Sequence, residues 1–380
     1  MSYLYYLLFV TMIIYFSFLF WLIIGNSFTS KQKLVSEFPP VSVLVAIRNG
    51  AGSLPNLISD LSKQEYSGKL EFILIDDESQ DRTGQIIKDA TIKDGRFIYA
   101  TSAKGDSLLH MKKRALDAGI RIAKYERLLF TDVDCRIKPN WVGGMSNYFI
   151  NENDYIVRHS CVALGDRLLN IFQSIDFLIL LIAARGSVKL GYPLACTGQN
   201  QAYRKSLYKK VRGFFKICNE RQGDDTLFLQ ICKKSGKASF AYADDLTTHV
   251  VSRQEKTWKS FINQRLRWSG DANTMWKVNI GFYFLMLIIF LFHLVLTILL
   301  MLSVWSYTYF LLLTKILMLK FFLEFLLYFS GAQQLNSPVR FIGFISWYFI
   351  NIPYFVFMGI GSFFHKGLNW KGRKLVETTS

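Results

Sequence analysis

A doubly wound α/β domain flanked by membrane-length apolar segments is the fold class this sequence predicts, and three observations predict it. Of the 380 residues, 3 to 24 contain no charge and 281 to 363 are dominated by Phe, Leu, Ile and Tyr, whereas 31 to 277 read as ordinary globular sequence. In that middle region, apolar strand-like runs alternate with helical patterns, the signature of a βαβ sheet. Acidic groups, Asp76-Asp77, Asp132-Val133-Asp134 and Asp224-Asp225, follow those runs or flank turns, and open α/β sheets bind ligands at the carboxyl ends of their strands.

The elements follow in order. Residues 1–30 form an N-terminal anchor, since spanning a bilayer takes about 20 apolar residues. The segment lacks the basic start and small-residue cleavage site of a signal peptide, so the expectation is an uncleaved helix. Residues 31–279 form the globular domain. After Pro39-Pro40, Val41 to Ile47 is β-branched and apolar, a buried parallel strand. Ser53 is placed as the N-cap of a helix with Pro55 in its first turn and Leu54, Leu57, Ile58 and Leu61 on its apolar face. A strand from Leu70 to Ile75 runs into Asp76, and a helix starts near Thr83. A third strand lies near Phe97 to Tyr99, a basic helix covers Leu108 to Ala123, and a fourth strand, Arg127 to Thr131, runs into Asp132.

Two later stretches carry helical patterns. Residues 167 to 185 are apolar almost all round, and with about 17 residues and Asp176 inside, a buried or interfacial helix is expected in place of a span. Trp258 to Gly270 is expected to be a helix with Gln264, Arg267 and Trp268 on one face and Trp258, Ile262 and Leu266 packing from another. An amide, a guanidinium and an indole then face a cleft. Arg suits a diphosphate and Trp a sugar face. An interfacial amphipathic helix beside the membrane explains the same residues, and both readings hold together.

Residues 280–365 form the C-terminal membrane and interfacial helices. Residues 281 to 303 make a clean span, while 308 to 330 carry Lys315, Lys320 and Glu324, of which Lys320 and Glu324 are spaced to pair on one helix face. Either 308 to 330 spans and 341 to 363, interrupted by Pro353, is re-entrant or interfacial, or 308 to 330 lies at the interface and the last segment spans. Residues 366–380 are a basic tail.

The net charge of +17 has no nucleic-acid motif to go with it, and nucleic acid is excluded as a partner. Lys31 and Lys33 follow the first apolar segment and Lys366, Lys371, Arg373 and Lys374 follow the last, which places these ends and the domain in the cytosol and near anionic headgroups. Cysteines 135, 161, 196, 218 and 232 have no metal or disulfide spacing, as suits a reducing compartment. His249 is a lone histidine, assigned a structural place.

No Rossmann or P-loop glycine pattern is present. In Asp132-Val133-Asp134 the two carboxylates face the same side of extended backbone, and Mg²⁺ characteristically takes one or two carboxylates together with phosphate oxygens. On its own the motif is unspecific, and a solvated acidic strand end would look alike.

Taken in order, the motifs between about Pro40 and Gly270 resemble those of membrane-bound family 2 glycosyltransferases, the inverting group that includes cellulose, chitin and hyaluronan synthases and ceramide glucosyltransferase. Val41 to Asn49 resembles the first nucleotide-binding strand, and Phe72 to Thr83 the strand ending in Asp-Asp-x-Ser-x-Asp-x-Thr. His110 to Gly119 is similar to the Gly-Lys-x-x-Ala-Leu-Asn-x-Gly segment, Asp132 to Asp134 to the D-x-D, Thr197 to Arg204 to Gly-x-Asn-x-Ala-x-Arg, and Gln264 to Trp268 to Q-x-x-R-W. The chain departs from the pattern at Asp224, where Glu is usual, at Gly50 and at His110.

The resemblance implies a GT-A nucleotide-sugar-binding domain, a doubly wound mixed sheet. It implies that Ala46, Arg48, Asp76, Lys112 and Asp132 bind the nucleotide sugar, with Asp76 at the base and Lys112 near the diphosphate. Asp134 would hold the divalent cation, Mg²⁺ or Mn²⁺. Asp225 would be the general base, and Gly198, Asn200 and Asp224 would line the acceptor or donor-sugar region beside Gln264, Arg267 and Trp268. The expected partners are a nucleotide-diphosphate sugar, a UDP-sugar foremost, a lipid or glycan acceptor, and the bilayer of a bacterial plasma membrane. A processive polysaccharide synthase is the alternative, although three or four membrane segments are few for a channel. A catalytically silent membrane scaffold or transport component on the same fold is a third, disfavoured by the presence of Asp132, Asp134, Asp225 and Arg267 together.

Overall fold

The computed structural model describes residues 2–29, 38–150, 152–158, 160–162, 165–220, 222–236, 238–367, 369–370 and 373–374. Lys31, Lys33 and Lys371 lie outside the described residues. The chain forms two compact units, one of residues 30–163 and 188–254, the other of residues 1–29, 164–187 and 255–380.

The first unit is built on a seven-stranded sheet. Its strands are β1 (Val41–Ile47), β2 (Leu70–Asp76), β3 (Phe97–Thr101), β4 (Arg127–Phe130), β6 (Tyr155–Val157), β8 (Gln201–Arg204) and β9 (Phe240–Tyr242), in the order β3-β2-β1-β4-β8-β6-β9. β5 (Arg136–Ile137), β7 (Ser160–Val162) and β10 (Val250–Ser252) make a second, three-stranded sheet. The first four strands of the large sheet pair in parallel, with Leu44 opposite both Ile73 and Phe130. β8 then enters antiparallel between β4 and β6. The sheet is therefore mixed, as expected.

Side-chain burial explains why these strands form. Val41, Val43, Val45 and Ile47 of β1 are fully buried on one face against Leu54, Leu57 and Leu61 of the Leu54–Ser62 helix and Ile87 of the Thr83–Lys93 helix. On the opposite face the Met111–Ile122 helix lies close to the sheet, for a Cβ at Gly119 would meet Ile75 at 2.8 Å and Leu44 at 3.0 Å. This helix starts at Met111, three residues later than its periodicity implies. Ser53 occupies the N-cap position of the Leu54–Ser62 helix without a side-chain cap bond. The start of that helix is held by Gly50, whose carbonyl accepts from Ser53 and Leu54 N–H groups at 2.9 Å and whose own N–H donates to Thr83 Oγ1.

The second unit is helical. The helices Tyr3–Ser27, Leu168–Lys189, Ile280–Leu302 and Phe341–Phe364 are long and apolar enough to cross a membrane. The second of these corrects the estimate of 17 residues, because the helix runs for 22, through Arg185 to Lys189. Asp176 does not shorten it, since it is buried against Arg265 Nε at 2.7 Å. Tyr307–Gln334 is one unbroken 28-residue helix. Lys320 and Glu324 pair on it at 2.8 Å, both buried, and Tyr15 of the first helix donates to Glu324. Pro353 does not interrupt the Phe341–Gly361 helix, and Phe341–Phe364 is one of the four helices long and apolar enough to span.

The Trp258–Ala272 helix is capped by a Thr257/Ser260 capping box, but the expected packing face is corrected. Phe261 and Arg265 are its buried side chains together with Gly270, while Trp258 is 41% exposed. The reason is the charge pair: the Arg265 guanidinium also lies 4.2 Å from the Trp268 ring centroid and 4.7 Å from that of Phe261. Breaking a buried pair by removing one partner costs about 3–5 kcal/mol, whereas replacing both with apolar groups is often neutral. Asp176→Leu or Arg265→Met should therefore lower the melting temperature in detergent markedly, and the double substitution should recover most of the loss. Equal melting of all three variants would remove the pair as an anchor.

Candidate active site

The carboxyl ends of β1, β2 and β4 gather most of the expected site residues. Ala46, half-buried, sits opposite Ile75 one residue before the end of β1. Arg48 follows the strand and is buried, donating from Nη1 to the carbonyls of Asp77 at 2.8 Å and Glu78 at 2.9 Å. Asp76 is the last residue of β2, and its Oδ1 accepts from Ser79 N–H at 3.0 Å. Arg48 and Asp76 thus shape adjoining loops. These loops interlock further, since Asn49 N–H donates to Ser79 Oγ and Gln80 N–H to Asn49 Oδ1.

After β4 the D-x-D is not on the extended backbone expected of it: it lies in a turn closed by Cys135 N–H on the Asp132 carbonyl at 3.1 Å, although burial still alternates along it. Val133 and Cys135 are buried at 3% and 1%, while Asp132 is half-exposed and Asp134 exposed. From the second turn position of the Met111–Ile122 helix, Lys112 Nζ reaches Asp132 Oδ1 at 2.9 Å and Asp224 Oδ2 at 3.0 Å. One ammonium therefore joins the strand end after β4 to the segment before the Thr226–Lys234 helix. Burial works against the Lys112 charge, but Asp132 and Asp224 outweigh it and hold the ammonium protonated well above the ordinary lysine range.

Asp225 is the N-cap of the Thr226–Lys234 helix. Its Oδ1 accepts from Thr226 N–H at 2.6 Å and its Oδ2 from Gly198 N–H at 3.2 Å. Burial, then the neighbouring Asp224 charge, push its carboxyl up to about 6, against the opposing pull of Lys112 and of the two backbone N–H groups. Gly198 packs against the charged ends of this cluster. A Cβ at that position would lie 3.0 Å from Lys112 Nζ, 3.1 Å from Asp224 Oδ2 and 3.5 Å from Asp225 Oδ2.

Lys112, Asp132, Gly198, Asp224 and Asp225 are thus brought into one cluster. Asn200 is placed differently. It is fully buried, accepting from Trp141 Nε1 at 3.1 Å and donating to the Thr248 carbonyl at 2.8 Å, so its amide braces the floor behind Gly198. Gln264, Arg267 and Trp268 belong to the helical unit, where Gln264 donates to Glu255 Oε1 at 3.1 Å and accepts from Arg265 Nη1 at 3.0 Å.

Among the described residues no group of three or more His, Cys, Asp or Glu side chains is arranged to hold a metal ion. The donor chemistry of the Asp132 and Asp134 carboxylates nevertheless suits Mg²⁺ or Mn²⁺, which complete their shells with phosphate oxygens and water.

Arg265 and Lys113 escaped the sequence reading. Arg265 carried a signal, because an aspartate inside an apolar helix needs a cation. Lys113 carried none, being one of three successive basic residues.

Comparison with known proteins bears on this geometry. The Glycosyl transferase family 2 model matches residues 42–212 and the Glycosyl transferase family group 2 model residues 132–358. The probable glycosyltransferase YdaM of Bacillus subtilis (strain 168) is 23% identical over 244 residues, 63% of this chain and 56% of that protein. The chain thus spans little more than half the length of this relative. The solved structure of mannosyltransferase PcManGT from Pyrobaculum calidifontis, in complex with GDP-Man and Mn²⁺, superimposes with a TM-score of 0.58 at 14% identity, covering 88% of this chain and 97% of that one. The mixed sheet is that of the GT-A fold. Because the second family model covers more than half of the chain and runs from the D-x-D through the cluster at Asp225 to the last long helix, this protein belongs to the family 2 glycosyltransferases.

Proposed function

We propose that this chain is a membrane-bound inverting glycosyltransferase that moves a sugar from a nucleotide-diphosphate sugar to a lipid or membrane-associated acceptor. The observation that carries this reading is the cluster in which Lys112 joins Asp132 to Asp224 beside the raised carboxyl of Asp225. A carboxylate poised near neutrality is suited to take a proton. Asp225 removes the acceptor hydroxyl proton as that oxygen bonds to the anomeric carbon. The bond from this carbon to the diphosphate breaks on the opposite face, and its electron pair departs with the diphosphate. Lys112 supplies positive charge to the departing group, and the resemblance adds Arg267 to that role.

Asp132 and Asp134 would hold the divalent cation, which when bound supplies Lewis-acid charge to the diphosphate. Asp76, Arg48 and Ala46 would frame the nucleoside. The four membrane-length helices support an acceptor drawn from the bilayer.

The test uses membranes containing the full chain, radiolabelled UDP-glucose, UDP-GlcNAc and GDP-mannose with Mg²⁺ or Mn²⁺, and partition between organic solvent and water. Label in the organic phase that is lost with excess chelator and restored by the metal is the expected result. Label in high-mass aqueous material would favour a polymer synthase, and turnover undiminished by chelator would remove the cation from the site.

A further inference from the structure

The Met111–Ile122 helix opens against two local rules. Cations are disfavoured at a helix N-terminus, yet the first turn carries Lys112, Lys113 and Arg114 with no acidic residue. Met111 begins the helix at φ 55°, left-handed backbone that disfavours residues other than glycine. Local rules broken together are expected where a turn serves the site.

Lys112 and Lys113 make different contacts. Lys112 joins Asp132 to Asp224. Lys113 is only 1% exposed, and its ammonium donates to the backbone carbonyls of Ile217 and Glu220. A buried ammonium is tolerable only when its protons are satisfied, so these carbonyls are tied to the helix. Ile217 ends a short 3₁₀ turn, Phe215–Ile217, and its carbonyl also accepts from Glu220 N–H at 3.1 Å. Beyond this knot the chain passes Gly223, at φ 100°, to reach Asp224 and Asp225.

We infer that Lys113 is a positioning residue for the reaction, anchoring through the Ile217 and Glu220 carbonyls the segment that delivers Asp224 and Asp225. Lys113 touches no substrate. One helical turn then places both the ammonium assigned to the diphosphate, Lys112, and the carboxylate assigned to the acceptor, so the two ends of the displacement share a mount. This inference rests on the reading of Asp225 as the base.

The experiment compares full-length Lys113→Met, Lys113→Gln and Asp225→Asn proteins in detergent. It measures turnover with the donor found above, binding of UDP with Mn²⁺ by calorimetry, and hydrogen exchange of backbone amides. A misplacement near 1 Å is worth about 10²-fold in rate. Lys113→Met is therefore expected to lose roughly 10- to 100-fold in kcat, to bind UDP with Mn²⁺ as the wild type does, and to exchange faster across residues 217–226. Lys113→Gln keeps an N–H donor and should recover part of both the rate and the protection. Wild-type turnover in Lys113→Met, or lost turnover with unchanged exchange at 217–226, would overturn the proposal. Failure of both Lys113 variants to fold would do the same, making the residue ordinary core. Should Asp225→Asn turn over normally, the base reading itself falls and this inference with it. A failure of the Lys113 inference alone leaves Asp225→Asn inactive.

Discussion

Asp225→Asn should lose about 10²- to 10⁴-fold in kcat, the usual worth of a general base, while the protein melts at or above the wild-type temperature at pH 7.5. The two halves of this result have one cause. Burial and the Asp224 charge raise the Asp225 carboxyl from an ordinary 3.8 to about 6, so ionising it costs more in the folded chain than in the unfolded one. For a carboxyl raised in this way the cost is absent below about pH 4, where both states are protonated. It grows as the unfolded chain ionises and is complete above about pH 6, where it amounts to roughly 3 kcal/mol. Asparagine removes the cost and still accepts from Thr226 N–H as an N-cap. Its Nδ2 now opposes the Gly198 N–H, which returns about 1–2 kcal/mol of it. The melting advantage of the variant should therefore shrink as pH falls from 6 towards 4. Activity and stability measured across that range decide the matter. Wild-type turnover would remove Asp225 as the base, and loss of UDP binding in place of turnover would move it into the donor site.

The parts of the molecule legible in the sequence are those where one residue type has one physical meaning. β1 and β2 are buried on both faces, so Val43 to Ile47 and Phe72 to Ile75 read as continuous apolar runs. The D-x-D was legible as a motif but its conformation was not, because β4 ends at Phe130 and Asp132 to Asp134 lie in a turn that Cys135 N–H closes on the Asp132 carbonyl. β6, β7, β9 and β10 were not legible, because three residues carry too little periodicity to distinguish from loop. Asn200 shows a different limit. The motif places it beside Gly198, but only the fold reveals that Trp141 and Thr248 use its amide. The face of the Trp258–Ala272 helix was misjudged because hydrophobicity ranks Trp258 above Arg265, whereas a paired and stacked guanidinium buries more completely than an indole at a helix start.

Lys112→Met is expected to move the acidic limb of the rate profile upward as well as to weaken donor binding. A point above Gly198 lies 3.0 Å from Lys112 Nζ and 3.5 Å from Asp225 Oδ2. The ammonium is therefore close enough to hold the base down, and opposite charges at roughly 4–6 Å displace a carboxyl by about one unit or more. Lys112 indeed opposes the upward shift of Asp225. Without it the carboxyl stays protonated to higher pH, so at any pH on the limb a smaller fraction of the enzyme holds the base in its working form. The limb of kcat/KM, which reports the free enzyme, should rise by about one pH unit from its place near 6. Loss of a charge-assisted hydrogen bond to the diphosphate, about 1.5–3 kcal/mol, should raise the donor KM roughly 10- to 100-fold. Lys112→Arg keeps the charge and should leave the limb where it is, whatever it does to the KM. The two effects are separable, because the first acts through Asp225 and the second through the donor. A raised KM with an unmoved limb would confine Lys112 to the donor. A limb that moves equally in Lys112→Arg would assign the shift to altered packing around Gly198 in place of lost charge.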